Sequence, residues 1–255
     1  MHPAPSLVTS TTLTGMGFGL MAWLGMLQTG HPGWVAAVFA ALAYALAGGG
    51  LLAARRPAAR HRSLAAFAER QTAWHARETW LAVATLATFA LYVAAWLVLD
   101  ARTAALGWLV AALAVATVAS TGMIYASQPA APRWNTPLTP ALFVAAALAG
   151  GALLAGSTLA AIWSLAALAL LQTAYWLATG REGAGTGRRP GHGHVLALLG
   201  LTCAALLPLA LLVALPFKHG LAALIVALHL SGMVALRWLF FADAGHAVGL
   251  PPEKG

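Results

Sequence analysis

The sequence predicts an all-α polytopic membrane protein, one domain over residues 1–255 built as a bundle of eight transmembrane helices. Three observations carry this. Hydrophobic residues make up 61% of the chain and charged ones 8%, which is too little charge for the water-facing surface of a soluble domain. Apolar runs of roughly 20 residues, the length that spans a bilayer, recur at 7–27, 33–54, 79–99, 104–125, 138–155, 158–177, 195–215 and 221–241. With the connecting segments alternating sides, one face collects Arg55, Arg56, Arg60, Arg62, Arg70, Arg77, Arg133, Arg181, Arg188, Arg189, Arg237 and Lys254. The other face holds Arg102 and Lys218. Basic residues mark the cytoplasmic side of a membrane, so a multi-pass protein of the cytoplasmic (inner) membrane with both termini cytoplasmic is expected.

The first run is preceded by no basic segment and is long enough to span, so it reads as a retained helix and not a cleaved leader. Its Gly15-Met16-Gly17-Phe18-Gly19 stretch follows no strand, so close packing of helices on small residues is expected there rather than a nucleotide loop. The same is expected of Gly48, Gly49 and Gly50 in the second run. The longest basic loop, from Arg55 to Arg77, leads into the third run. The fifth and sixth are parted by Gly156 and Ser157 and form a tight hairpin, and a Gly-rich stretch from Gly180 to Gly193 reads as a mobile loop. The seventh run carries the single cysteine, Cys203. One cysteine excludes an internal disulfide, an iron–sulfur cluster held by this chain alone, and a CxxCH haem attachment.

The ten tryptophans fall near the run ends, Trp74, Trp80, Trp134, Trp176 and Trp238 toward the basic face and Trp23, Trp34, Trp96, Trp108 and Trp163 toward the other. Two interfacial aromatic belts are the expectation. Neither a sequence repeat nor a matched pair of Gly/Pro-broken helices points to a transporter. The basic residues lie beside the membrane on one face, where membrane lipid and topology account for them without nucleic acid.

The chemistry-bearing residues cluster at one place. Trp74-His75-Ala76-Arg77-Glu78-Thr79-Trp80 presents an imidazole, a guanidinium and a carboxylate between two indoles at the mouth of the third helix. His75 or Arg77 can hydrogen-bond a quinone carbonyl, Glu78 can exchange a proton, and the indoles can flank the ring. The plainer alternative is an Arg–Glu pair capping the helix and snorkelling into water, with Glu78 favoured at the helix N-terminus. Tyr125 and Trp134 either line the same mouth or act as interfacial anchors. Asp243 stands six residues beyond Arg237, too far along one helix to pair, so each is expected to meet another helix or a docked subunit. His229 lies near the centre of the eighth run, where an ionisable group is functional or tightly paired. It suits an interhelical hydrogen bond, a proton path, a second quinone site or a haem b ligand. No second histidine stands at its depth to complete a bis-histidine haem, and no metal site is expected.

These segments together resemble the membrane anchor subunit of dimethyl sulfoxide reductase-type molybdoenzymes. The resemblance runs in order from His2-Pro3 and Thr11-Thr12-Leu13-Thr14-Gly15, through Ala66-Phe67 and Trp74-x-x-Arg77-Glu78, to Met123-Ile124-Tyr125-Ala126-Ser127. It continues with Pro132-Arg133-Trp134-Asn135-Thr136-Pro137 and ends with Arg237-Trp238-Leu239-Phe240-Phe241-Ala242-Asp243-Ala244. It implies an eight-helix anchor that docks an iron–sulfur electron-transfer subunit and a molybdopterin catalytic subunit and exchanges electrons with ubiquinone or menaquinone. Iron–sulfur clusters and molybdopterin then belong to the partners. Glu78 matches the family's acidic residue at the quinol site. Relatives carry His-Leu-Gly at the end of helix 2 where this chain has Ala54-Arg55-Arg56-Pro57-Ala58, which leaves His61 and His75 as candidates for that imidazole.

With the docking face also the basic one, the resemblance implies a cytoplasm-facing partner, as in sulfite:quinone dehydrogenases. The alternatives are the anchor of a dimethyl sulfoxide reductase-like terminal reductase that oxidises quinol, a purely structural tether, and a transporter or channel.

Overall fold

A computed structural model of the chain describes residues 5–27, 33–55, 72–99, 103–128, 131–183, 192–215 and 219–247. All regular structure among them is helical. We number the helices α1 (Pro5–Leu27), α2 (Gly33–Arg55), α3 (Thr72–Leu99), α4 (Ala104–Ala126), α5 (Leu138–Leu154), α6 (Thr158–Gly183), α7 and α8 (His219–Ala247). The helical run α7 comprises His192–Leu201, a π-helical turn Thr202–Leu206 and Leu207–Ala214. Seven of the eight are long and apolar enough to cross a membrane, while α5 is apolar but shorter, at 17 residues. This architecture is compatible with a multi-pass membrane protein.

The centres of the apolar runs locate the helices well, but their ends move. The third helix begins at Thr72 and not at 79, so Trp74 to Glu78 lie within its first two turns. Glu78 is therefore past the turn whose free N–H groups attract a carboxylate, which removes the capping alternative. The α5–α6 hairpin forms as expected. Gly156 takes φ +69°, its N–H bonds to Leu153 O and the Ser157 N–H to Ala152 O. That pair of reversed bonds satisfies the last carbonyls of α5 and needs a residue tolerant of positive φ. Residues 184–191 of the stretch expected to be mobile lie outside the described residues.

Helix α1 is the hub and packs on α2, α4, α5 and α8. Its small residues make this possible. A Cβ at Gly19 would run into the Ala147 carbonyl of α5, and one at Gly17 into the Ala47 backbone of α2. Gly25 meets Gly107 of α4 in the same way, and Gly50 of α2 meets Thr14. Backbone approach of this kind is what binds helices where apolar burial gives no preference between protein and lipid. Among the described residues, however, a Cβ at Gly48 or Gly49 would meet nothing within 4 Å, so there only the third glycine of that run is a packing residue. The hydroxyls of Thr11 and Thr12 on α1 turn back onto the carbonyls of Leu7 and Val8, which keeps buried donors satisfied.

The tryptophan belts are only partly present. Trp34, Trp80, Trp108 and Trp163 are exposed, but Trp96 and Trp134 are buried, and the half-buried Trp23 donates its Nε1–H to Leu148 O at 2.8 Å. Position along a helix sets an indole's depth, whereas its direction around the axis decides between lipid and core.

Candidate functional site

Sequence reasoning singled out the Trp74–Trp80 segment, and the fold splits it. Arg77 turns away from the carboxylate and stacks its guanidinium on Trp74, 4.6 Å from the ring centroid, while Trp80 is exposed. Neither the Arg77–Glu78 pair nor a sandwich of two indoles around Glu78 forms. His75 stays with Glu78, Nδ1 to Oε2 at 3.8 Å, with the imidazole about half-exposed and the carboxylate 20% exposed. His61 lies outside the described residues.

What holds Glu78 comes from α4, 43 residues on. The Thr121 hydroxyl donates to Glu78 Oε1 at 2.5 Å. One turn further along α4, Tyr125 projects from the same helix face, because residues four apart stand one above the other. Deeper along the same interface Thr85 and Thr117, both buried, share a hydrogen bond of 2.9 Å. The α3–α4 seam thus carries polar groups inward from a half-buried carboxylate at its end.

Tyr125 is the junction of the site. Its ring meets Trp134 edge-on at 5.3 Å, stacks on Phe143 at 5.4 Å, and touches Phe240 and Phe241 at 5.8 and 5.2 Å. Glu78 and Arg237 both lie near enough to act on the phenol electrostatically. Arg237 is buried in α8, with its guanidinium 3.5 Å over the Phe143 ring. Cation–π contact of this kind offsets part of the loss of hydration.

The α4–α5 connection is locked around this cluster. Trp134 donates Nε1–H to Phe240 O at 2.9 Å, Thr139 donates to Trp134 O at 2.8 Å, and Tyr175 donates to Arg133 O at 2.9 Å. Trp134 is therefore a core residue facing Tyr125 and not an interfacial anchor. Arg237 meets the Phe143 ring of α5, and among the described residues it has no charged partner, while the side chain of Asp243 lies outside the described residues.

His229 belongs elsewhere. It stands eight residues before Arg237 on α8, a separation of about 12 Å, and is fully buried. Its Nδ1 lies 2.6 Å from Ala204 O in the π-helical turn of α7. A carbonyl only accepts, so Nδ1 carries the proton. The local sequence explains the contact. Pro208, four residues after Ala204, has no N–H to give that carbonyl, and Gly232 lets α8 approach the Ala204 backbone. Nε2 has no hydrogen-bond partner among the described residues and faces Gly150, where an added Cβ would stand 3.1 Å from Nε2 and 2.8 Å from Met16 Cγ. That packing leaves no room for a porphyrin against Nε2, so the surroundings of His229 do not fit haem.

Sequence reasoning missed Thr121 and Phe143. The hydroxyl-bearing spacing Thr117, Ser120, Thr121 on α4 was the available signal for the first. Among the described residues no three His, Cys, Asp or Glu side chains gather as metal ligands. No family model matches the chain, and neither the curated proteins nor the solved structures gave a match.

Proposed function

We propose that the chain is the membrane anchor and quinone-reactive subunit of a multi-subunit oxidoreductase of the cytoplasmic membrane. It passes electrons between a partner iron–sulfur subunit and quinone, and the partner complex is a molybdopterin-dependent sulfite dehydrogenase. The observation that carries the reading is the half-buried Glu78 carboxylate fixed by Thr121 beside Tyr125. A carboxylate so placed can reach both water at the rim and an apolar ligand entering between helices.

Reduction of a quinone to a quinol takes up two electrons and two protons. The electrons come from the partner's cluster. Glu78 gives a proton to the quinone oxygen and regains one from water by way of the half-exposed His75, whose Nδ1, 3.8 Å from Oε2, closes to hydrogen-bond distance for the transfer, as catalytic contacts do when the ligand is bound. Tyr125 offers a phenol O–H to the same region. The charge asymmetry supports a cytoplasmic docking face, and the ordered resemblance to molybdoenzyme anchors supports the partners.

The test is to purify the chain from membranes with whatever accompanies it, identify the partners by mass, and extract and identify bound quinone. An iron–sulfur protein, a molybdopterin protein and a stoichiometric quinone are the expected result. Partners without quinone would leave a structural tether, and solute flux with no redox partner would make the chain a transporter.

A further inference from the structure

Between α5, α6 and α8 lies a cleft of about 30 Å³ with apolar walls from Leu142, Leu168, Met233 and Leu236, lined also by Gln172 and Arg237 and by Tyr175, whose hydroxyl already donates to Arg133 O. Gln172 and Arg237 are buried, 5% and 4% exposed. Among the described residues the Arg237 Nε has no hydrogen-bond partner and no carboxylate lies within ion-pair distance of the guanidinium. Phe143 covers one face of it, but a ring quadrupole supplies no acceptor for the in-plane Nε–H. A buried cation needs a counter-charge and its donors need acceptors.

We propose that this cleft is a lipid site, in which Arg237 and Gln172 hold the phosphodiester oxygens of an anionic phospholipid while its acyl chain lies along the apolar wall. Size argues for a ligand that reaches in from outside, because the cleft admits one or two oxygen-sized groups and not a whole molecule. Depth agrees. Arg237 is four residues short of Phe241, where the eighth apolar run of the sequence ends, or about 6 Å along the axis, a distance that its own side chain covers. Guanidinium is the side chain best matched to phosphate oxygens, since its N–H groups form a planar fork. The formal net charge of +8 draws anionic lipid toward the chain.

The test uses the full purified chain in neutral detergent and measures retained ligand by native mass spectrometry for three probes. These are phosphatidylglycerol, diacylglycerol with the same acyl chains, and inorganic phosphate. Phosphatidylglycerol is expected to bind about tenfold or more tightly than diacylglycerol, the scale of a hydrogen bond to a charged group. Arg237→Met should reduce it to the diacylglycerol level, and Gln172→Leu should weaken it severalfold. If Arg237→Met does not fold, Arg237→Lys and Gln172→Leu decide, each with an expected intermediate loss. Equal binding of phosphatidylglycerol and diacylglycerol, or binding indifferent to these substitutions, overturns the proposal. So does inorganic phosphate that binds alone with the same dependence on Arg237, because the site would then serve a free anion.

Discussion

Thr121 on α4 donates its hydroxyl hydrogen to Oε1 of Glu78 on α3, 2.5 Å away, and this bond fixes which way the carboxylate at the end of the seam faces. The other oxygen, Oε2, is left toward His75. One side of the carboxyl group is thus tied to the bundle and the other to a half-exposed imidazole, an arrangement suited to moving a proton between water and an apolar interior.

Glu78→Gln separates holding from proton exchange. The amide keeps an oxygen for Thr121 to bond, so the α3–α4 contact and complex assembly should survive. Quinone turnover should fall by about 10²–10⁴, the usual contribution of a general acid–base group, while the partner's reaction with an artificial acceptor is unchanged. Loss of both activities together would make Glu78 a structural residue.

Helix contact through Gly19 gives a stability test independent of function. Gly19→Ala drives a Cβ into the Ala147 carbonyl of α5, and rigid backbone can yield only by separation of the helices. Overpacking of this kind costs about 1–3 kcal/mol or more, visible as a lower unfolding temperature of the purified protein. Gly48→Ala, which meets nothing within 4 Å, should leave that temperature unchanged or raise it, since alanine is the better helix former. Equal effects at the two positions would refute the close α1–α5 approach.

Much of the fold was legible because hydrophobic run length and helix length are set by the same thickness of hydrocarbon. Helix ends were less so. The turns of α3 from Thr72 to Glu78 are polar and aromatic, and nothing in an apolar-run reading extends the helix through them. For the site, Glu78 and Tyr125 stood out by residue type, but the Thr121 bond and the Arg237–Phe143 contact join residues 43 and 94 positions apart. Which faces of α4, α5 and α8 turn toward one another decides such contacts, and nearly uniform apolar helices carry little sequence signal of their rotation. Trp134 shows the same limit: its depth was readable and its burial was not.

Topology tests the partner assignment. The twelve-to-two distribution of basic residues predicts a cytoplasmic C-terminus and a periplasmic segment at Arg102. Reporter fusions at Gly255 and beside Arg102 should be active only in those respective compartments. A periplasmic C-terminus would remove the cytoplasm-facing sulfite dehydrogenase from consideration.

Pro208 and His229 should be energetically coupled through one carbonyl. Ala204 O lacks the N–H that residue 208 would give in a regular α-helix, and the His229 Nδ1–H occupies it. His229→Leu should lower stability by about 0.6 kcal/mol, the average for an interhelical hydrogen bond in a membrane protein. Quinone turnover should stay near normal, because the imidazole stands about 12 Å along α8 from Arg237 and the site. Pro208→Ala restores an intrahelical donor to Ala204 O, so in that background His229→Leu should cost less, with a coupling of about 0.5 kcal/mol, the lower end of the range for residues in contact. Strict additivity of the two substitutions would show that the carbonyl does not link them. Abolished turnover in a His229→Leu complex that still assembles would instead place the histidine on a proton path.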